Sequence, residues 1–324
     1  MARAGFDRAF VRGVLLPDWW DDALENDPSV LQDVEIRVAR FLGASVAAVG
    51  DPAASLTVPT YPRAQLRRVR DVSRRNMGPA IHTAIEVAKA VVRSLPDASS
   101  HNALPPDGLT WRGQMAAGPA VTLNVLASNL WSRGIPVVPL ESLPSPGFQA
   151  IACEALGRSV ILLGHKYDAP GRVAYLVAHE AGHIAHGDCS ASAPVIDEED
   201  EIADDSPIES AAELYATTAI VGSTSAPELP LDASRDSKAL ATDALELERR
   251  TGAEASLLIF NWARQTLDYA TAMMAVRALY RERGARQLLA GLCRQHLDLE
   301  HSSVTDRELL RCVFGLAADD DPAP

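Results

Sequence analysis

The clearest pattern of apolar and polar residues lies in the middle of the chain. Residues 159–163 (SVILL) form a short apolar run, which is typical of a buried strand. After a Pro-Gly turn signal, residues 172–178 (RVAYLVA) contain no Gly or Pro, which predicts a mostly buried helix. Gly187 ends that helix. Residues 148–155 are a further candidate strand, at an edge of the sheet. The pattern therefore predicts a small sheet followed by a buried helix.

The N-terminal part of the chain has helical patterning instead. Within residues 34–51, Gly43 is a helix stop and Ser45 is the next N-cap. This segment resembles the last two helices of repressor-type helix-turn-helix domains, without the recognition-helix pair that precedes them. Residues 78–95 predict one amphipathic helix, and residues 96–113, rich in Pro, Ser and Asp, predict a linker.

The C-terminal third is also predicted to be helical. A capping box at residues 251–254 opens a helix that runs through residue 265. Further helices are predicted over residues 268–283, 285–296 and 305–314. Their apolar positions indicate the core of a helical bundle, and we find no candidate chemistry among them.

The predicted central helix carries an HExxH motif. His179 and His183 lie four residues apart, on one helix face, so both imidazoles can bind one metal ion. Glu180 lies next to them, where it can deprotonate a water molecule on that metal. In a chain with 8 His, a chance match is expected in roughly one such chain in a hundred, and the alternative is a helix with two unrelated histidines. His165 and Tyr167, which follow the strand, are candidate oxyanion donors.

A zinc site needs a third protein ligand. The metzincin pattern fails, because His186 and Cys189 occupy the positions of its Gly and third His. The other pattern takes a glutamate from a second helix, and Glu209 fits it, with Glu213 one turn later as an acceptor for a ligand imidazole N–H. Glu209 is also the last residue of a capping box that begins at Ser206, so closing the helix start is an alternative role. Glu213, Cys189 or an acidic loop residue remain alternative ligands.

Four segments in order resemble the ImmA/IrrE metallopeptidases. They are residues 134–140 (GIPVVPL), 158–163 (RSVILL), 172–183 (RVAYLVAHEAGH) and 209–222 (ESAAELYATTAIVG). The resemblance covers roughly residues 113–222, about a third of the chain, and it places Glu209 on the family's glutamate ligand. Glu213 stands where the family usually has Asn, and Gly222 replaces a usual Pro. The resemblance implies a small α+β zinc peptidase, and characterised members cleave or inactivate transcriptional repressors.

Length and composition agree with a protein of more than one domain. With 324 residues and 47% hydrophobic residues, the chain can bury a sizeable core. We expect a helix-dominated α+β fold, with a small sheet packed on the HExxH helix and helical segments on both sides. Neither a signal sequence nor an apolar stretch of about 18 residues is present, and the four cysteines are scattered, so we expect a cytoplasmic protein without a membrane partner. The predicted divisions are a repressor-like helical segment 1–75, a helix and linker 76–112, the metallopeptidase domain 113–228 and a helical bundle 229–324.

Charge is distributed unevenly along the chain. Residues 173–234 contain thirteen acidic residues and no Lys or Arg, so this interval accounts for the formal net charge of −13. Residues 197–201 (DEEDE) lie in the connection between the two metal-binding helices, either as a solvated loop or as a rim that attracts basic peptides. The N-terminal part has a basic stretch, which either contacts DNA or is an ordinary solvated helix face: Arg63, Arg67, Arg68, Arg70, Arg74 and Arg75.

The sequence therefore predicts a zinc-dependent metallo-endopeptidase. His179, His183 and Glu209 would bind Zn²⁺, and Glu180 would act as the general base. The expected partner is a protein substrate, a DNA-binding repressor of a bacterial stress response or mobile element. The alternative is a non-catalytic regulator that binds DNA or a partner protein and has a structural or vestigial zinc site. An open coordination position over a groove would distinguish the enzyme from the regulator.

Overall fold

The fold is a helix-dominated α+β arrangement, as predicted, and is described from a computed structural model. The model describes residues 1–17, 19–24, 26–59, 65–66, 77–96, 102–115, 121–145, 147–164, 168–189, 195–197, 207–224, 228–231, 236–279 and 284–314. Its α-helices are α1 (Arg8–Phe10), α2 (Pro28–Leu42), α3 (Val46–Gly50), α4 (Gly78–Arg93), α5 (Gly108–Gln114), α6 (Leu123–Ser132), α7 (Pro170–His186), α8 (Pro207–Val221), α9 (Ser237–Thr251), α10 (Ala255–Thr266), α11 (Tyr269–Leu279), α12 (Ala285–His296) and α13 (Val304–Phe314).

A small mixed sheet forms the β part of the fold. Its strands are β1 (Gln65–Leu66), β2 (Val137–Pro139), β3 (Ala150–Ala155), β4 (Arg158–Leu163) and β5 (Val195–Asp197), in the order β1-β5-β3-β4-β2. Strands β3 and β4 form an antiparallel hairpin, and β2 runs parallel to β4. Strand β3 was predicted to be an edge strand, and this is wrong. The connection between α7 and α8 supplies β5, which pairs antiparallel with β3 and makes β3 an inner strand.

Helix α7 carries the HExxH motif and packs on this sheet, as predicted. Its N-terminus has Pro170 in the first turn, where the missing N–H costs no hydrogen bond. It ends at Gly187, whose φ of 76° is a left-handed conformation that glycine adopts without strain. The apolar side of α7 contacts β3 and β4. Its buried apolar residues include Val173, Ala174, Val177, Ala178 and Ala181.

Helices α7 and α8 approach each other closely at Gly182. A Cβ atom at Gly182 would lie 3.0 Å from the Cα of Ala212 and 3.1 Å from the Cβ of Tyr215. Ala212 and Ala216 on α8 are fully buried small residues. Small residues on both helices therefore bring α7 and α8 together.

Helix α5 lies inside the segment predicted to be a linker. Trp111 of α5 is fully buried, and its Nε1 donates a hydrogen bond to Oδ1 of Asn129 over 2.8 Å. Gly108 approaches α8 so closely that a Cβ there would lie 2.2 Å from the backbone oxygen of Tyr215. The Pro and Ser residues before α5 suggested a linker, but one buried Trp and one Gly dock the short helix on α8.

The N-terminal helices agree with the pattern of the sequence. Gly43 ends α2 with a φ of 62°, and the Oγ of Ser45 accepts a hydrogen bond from the backbone N–H of Ala48 to begin α3. Phe41 of α2 packs edge-to-face on His82 of α4, with ring centroids 5.1 Å apart. The basic stretch at residues 63–75 lies outside the described residues except for the strand at 65–66, so its proposed DNA contact stays a prediction.

The C-terminal helices α9–α13 pack on the rest of the chain. The capping box predicted at residues 251–254 is wrong, because Thr251 is the last residue of α9, a helix that the sequence analysis did not predict. Glu254 is the N-cap of α10 instead, and its side chain accepts a hydrogen bond from the N–H of Leu257. Buried apolar residues from the N-terminal, central and C-terminal segments form one hydrophobic cluster. Among the described residues, no helix combines the length and the apolar character needed to cross a membrane.

Candidate metal centre

Three predicted ligands meet between α7 and α8. His179 and His183 lie one turn apart on α7, and Glu209 lies in the first turn of α8. The two Nε2 atoms are 3.2 Å apart. Oε2 of Glu209 lies 3.2 Å from Nε2 of His179, and Oε1 lies 3.6 Å from Nε2 of His183. All three residues are buried, with 2%, 1% and 7% of their surfaces exposed in that order. They form a buried group that could bind a metal ion.

The separations between the ligand atoms fit a small tetrahedral cation. Bonds of about 2.0–2.1 Å to a tetrahedral ion place neighbouring ligand atoms roughly 3.3–3.4 Å apart. The Nε2–Nε2 separation of 3.2 Å lies close to that spacing, and each imidazole nitrogen has one carboxylate oxygen of Glu209 at 3.2 or 3.6 Å, a different oxygen for each ring. Two imidazole nitrogens and one carboxylate are also the donor set that open zinc sites use. The residues therefore fit zinc by chemistry and by spacing.

Asp188 fixes the orientation of His183. Its Oδ2 lies 3.1 Å from Nδ1 of His183, so Nδ1–H donates to the carboxylate and the lone pair of the neutral ring is on Nε2. Burial lowers the pKa of His183, and the neighbouring His179 lowers it further, which favours this neutral form. The α7 C-terminal turn explains the contact, because the N–H of Asp188 donates to the carbonyl of His183 over 2.9 Å.

The contact of Asp188 with His183 was not predicted from the sequence. The sequence contains a signal for this contact, namely the glycine that follows the helix. Gly187 at the helix end has a left-handed conformation, which folds the next residue back onto the last turn. Glu213, which was predicted to accept a hydrogen bond from a ligand imidazole, lies half-buried one turn after Glu209. Its role as an acceptor stays a prediction. The Nδ1 atom of His179 is buried and has no hydrogen-bond partner among the described residues.

Glu180 is completely buried beside the ligands. Its charge contributes to the raised pKa values of two cysteine thiols, Cys189 and Cys153. Burial, together with the nearby charge of Glu180, raises the pKa of Cys189 to about 12. Burial also raises the pKa of Cys153 on β3, with contributions from Cys189 and Glu180. Glu180 is therefore a buried acid next to His179 in the chain, outside the group of three candidate ligands.

The remaining candidates lie outside the metal centre. Among the described residues, the His, Cys, Asp and Glu side chains that could bind one ion together are those of His179, His183 and Glu209, which leaves out Cys189 and Glu213. His186 is exposed and packs edge-to-face on the ring of Tyr215, with centroids 5.7 Å apart.

Several predictions concern residues that the structure does not describe. These are the capping residue Ser206, the candidate oxyanion donors His165 and Tyr167, and residues 198–201 of the acidic run. Comparison with known proteins does not add to the site geometry. No protein-family model, curated protein or solved structure matches this chain.

Proposed function

We propose that this chain is a zinc-dependent metallo-endopeptidase of the ImmA/IrrE type. The observation that carries the proposal is the buried convergence of His179, His183 and Glu209 from two helices, with Glu180 next to the first histidine. If the two histidines were unrelated, there would be no reason for Oε2 of Glu209, on another helix, to lie 3.2 Å from Nε2 of His179. A helix-capping role for Glu209 alone would not direct its carboxylate towards both imidazoles.

The residues of the site have distinct roles in the proposed reaction. His179, His183 and Glu209 would hold zinc, which supplies charge to polarise a carbonyl group and to acidify a water molecule. Asp188 keeps Nε2 of His183 available as a donor atom by accepting the proton of Nδ1. Glu180 would accept a proton from the attacking water and deliver it to the leaving amine.

We further propose that the substrate is a DNA-binding repressor. The resemblance to ImmA/IrrE peptidases and the repressor-like pair α2–α3 support this proposal. Repressors are basic where they contact phosphates, and the thirteen acidic residues of the interval 173–234 would attract them. Exposed charges are screened beyond about 8 Å at physiological ionic strength, so capture should weaken steeply with added salt. Replacing residues 197–201 with Asn and Gln should slow association and leave single-turnover cleavage nearly unchanged.

The test of catalysis is the Glu180→Gln variant. Zinc-loaded wild-type protein and the variant are incubated with a library of peptides from bacterial repressors, and new termini are identified by mass spectrometry. Glu180→Gln should retain zinc and lose cleavage, because Glu180 is not a ligand. Glu246→Gln, on α9, is the matched control and should cleave like the wild type. Loss of zinc from Glu180→Gln would contradict its role as a base.

The second candidate is a regulator with a structural metal site. One observation favours it: β5 pairs with β3 at Ala150, Ile151 and Ala152, so this stretch of β3 offers no free edge to an extended peptide. Replacing bound zinc with cobalt distinguishes the candidates, since an open site exchanges a water ligand for azide and its visible spectrum changes. If azide leaves the visible spectrum of the cobalt-substituted wild type unchanged and no peptide is cleaved, the regulator is supported.

A further inference from the structure

A cavity lies where N-terminal and C-terminal segments of the chain meet. Its volume is about 320 Å³. The turn at Val11–Leu15 and the residues after it, helix α2, helix α4 and helix α13 all contribute to its lining. Ligand pockets for small molecules begin at about 300 Å³. The cavity is therefore large enough for a small ligand, and none of the residues of the proposed metal centre lines it.

The floor of this cavity is apolar. Val14, Leu15 and Phe41 line it and are buried, with 6–8% of their surfaces exposed. Leu309 and Cys312 of α13 line it from the other side and are half-buried. A surface of this kind favours an alkyl chain over a polar ligand, because burying apolar area is favourable and burying an unpaired polar group is costly.

The rim of the cavity is charged, and most of its charges are paired. The guanidinium of Arg93 makes two hydrogen bonds to Asp306, of 2.9 and 2.6 Å. The ammonium of Lys89 lies 2.7 Å from the carboxylate of Glu86. A third pair joins Arg37 of α2 to Glu308 of α13. These three pairs balance one another, so they provide no net charge for a ligand.

Arg40 is the cation that remains. Its side chain is exposed on α2, and its hydrogen bond is a long one of 3.4 Å from Nη1 to Oγ1 of Thr305. Within the described part of the chain Arg40 forms no ion pair. The closest candidate, Asp306, has both oxygens bonded already, to Arg93 and to Ser303. The lining therefore has one excess positive charge at the solvent side of an apolar floor.

We propose that this cavity binds a small amphipathic monoanion, an unbranched alkyl carboxylate. Its carboxylate would pair with the guanidinium of Arg40, and its chain would lie on Leu15, Phe41 and Leu309. The ligand would connect α2 and α13, the two helices that the Arg37–Glu308 ion pair already joins. This proposal does not depend on the proposed peptidase activity.

The test is isothermal titration of the full chain with a matched series of amphiphiles below their micellar concentrations. Decanoate is compared with decanol and decyltrimethylammonium, which keep the alkyl chain and remove or reverse the charge. Hexanoate and octanoate then test the apolar floor. Each added methylene should tighten binding by about 4-fold until the cavity is full. Saturable binding of one decanoate per chain, tighter than binding of the alcohol and the cation, is the expected result.

Two arginine variants test the head-group contact. Arg40→Gln should weaken decanoate binding by about 3- to 10-fold and leave decanol binding unchanged, as expected for a partly exposed charge contact. Arg249→Gln, an exposed arginine at the end of α9, is the matched control and should bind like the wild type. Cys312→Phe should fill the cavity and abolish binding, with near-ultraviolet circular dichroism to verify folding. The proposal would be overturned if the wild type bound decanoate and decyltrimethylammonium equally well. Equal affinities of Arg40→Gln and Arg249→Gln for decanoate would also overturn it.

Discussion

Gly182→Ala tests whether the close packing of α7 and α8 determines the geometry of the metal centre. The added Cβ would lie 3.0 Å from the Cα of Ala212, whereas ordinary contacts of this kind begin at 3.4 Å. Helix α8 would have to move away from α7 by about 0.4 Å to relieve that contact. Glu209 lies on α8 and both histidines lie on α7, so the shift separates the ligands from one another.

The expected effects differ for stability and for metal binding. Overpacking costs about 1–3 kcal/mol, and the better helix propensity of Ala returns about 1 kcal/mol, so we expect a net loss of roughly 0–2 kcal/mol. Ligand distances in a metal site must lie within about 0.2 Å of their ideal values. A displacement of about 0.4 Å exceeds that tolerance, so zinc affinity should fall at least about 10-fold.

The assay is competition for zinc against a chromophoric chelator, paired with denaturant unfolding of the metal-free protein. The matched control is Gly291→Ala within α12, where an added Cβ meets no atom within 4 Å. That control should stabilise the chain by about 0.5–1 kcal/mol and leave zinc affinity unchanged. If Gly182→Ala were stabilised like the control and bound zinc as the wild type does, the packing of α7 on α8 would not govern the site.

Three further predictions concern other parts of the fold. Burial lowers the pKa of His82 below its ordinary 6.5, so His82 binds a proton more tightly in the unfolded chain than in the folded chain. The free energy of unfolding should therefore fall as pH drops below about 6.5. His82→Gln should flatten that dependence when unfolding by urea is measured at several pH values. Trp111→Ala should lower the free energy of unfolding by about 3–5 kcal/mol, whereas an unfolding curve unchanged from wild type would mean that α5 is a loosely attached linker. Cys189, which is half-buried and has a pKa raised to about 12, should react with iodoacetamide at pH 8 far more slowly than the same thiol in the unfolded chain, and equal rates measured by mass spectrometry would refute the raised pKa.

The central helix and the positions of its two histidines could be predicted because their signals are local. The HExxH spacing fixes two imidazoles on one helix face, and a Pro-Gly turn and Gly187 mark the two ends of α7. Strand β4 was equally clear, since a run of apolar residues needs burial on both sides. Glu209 followed from its spacing to Glu213 and from the family resemblance.

The features that escaped prediction depend on contacts between distant segments. The inner position of β3 depends on β5, a three-residue strand in an acidic connection whose own sequence gives no strand signal. Helix α5 is held by contacts between Gly108 and α8, about a hundred residues later in the chain. Asp188 acts through a turn that brings it back to His183. Each of these requires knowledge of which surfaces meet.

Zinc stoichiometry in three proteins tests the central assignment most directly. The wild-type chain, Glu209→Ala and Glu213→Ala are dialysed against buffered zinc, and bound metal is measured by mass spectrometry. The wild type should hold one zinc per chain, Glu209→Ala should lose it, and Glu213→Ala should weaken affinity by about 10- to 100-fold. Full zinc occupancy in Glu209→Ala, with only the stability loss of about 1 kcal/mol expected for a lost helix cap, would contradict the assignment of Glu209 as a ligand.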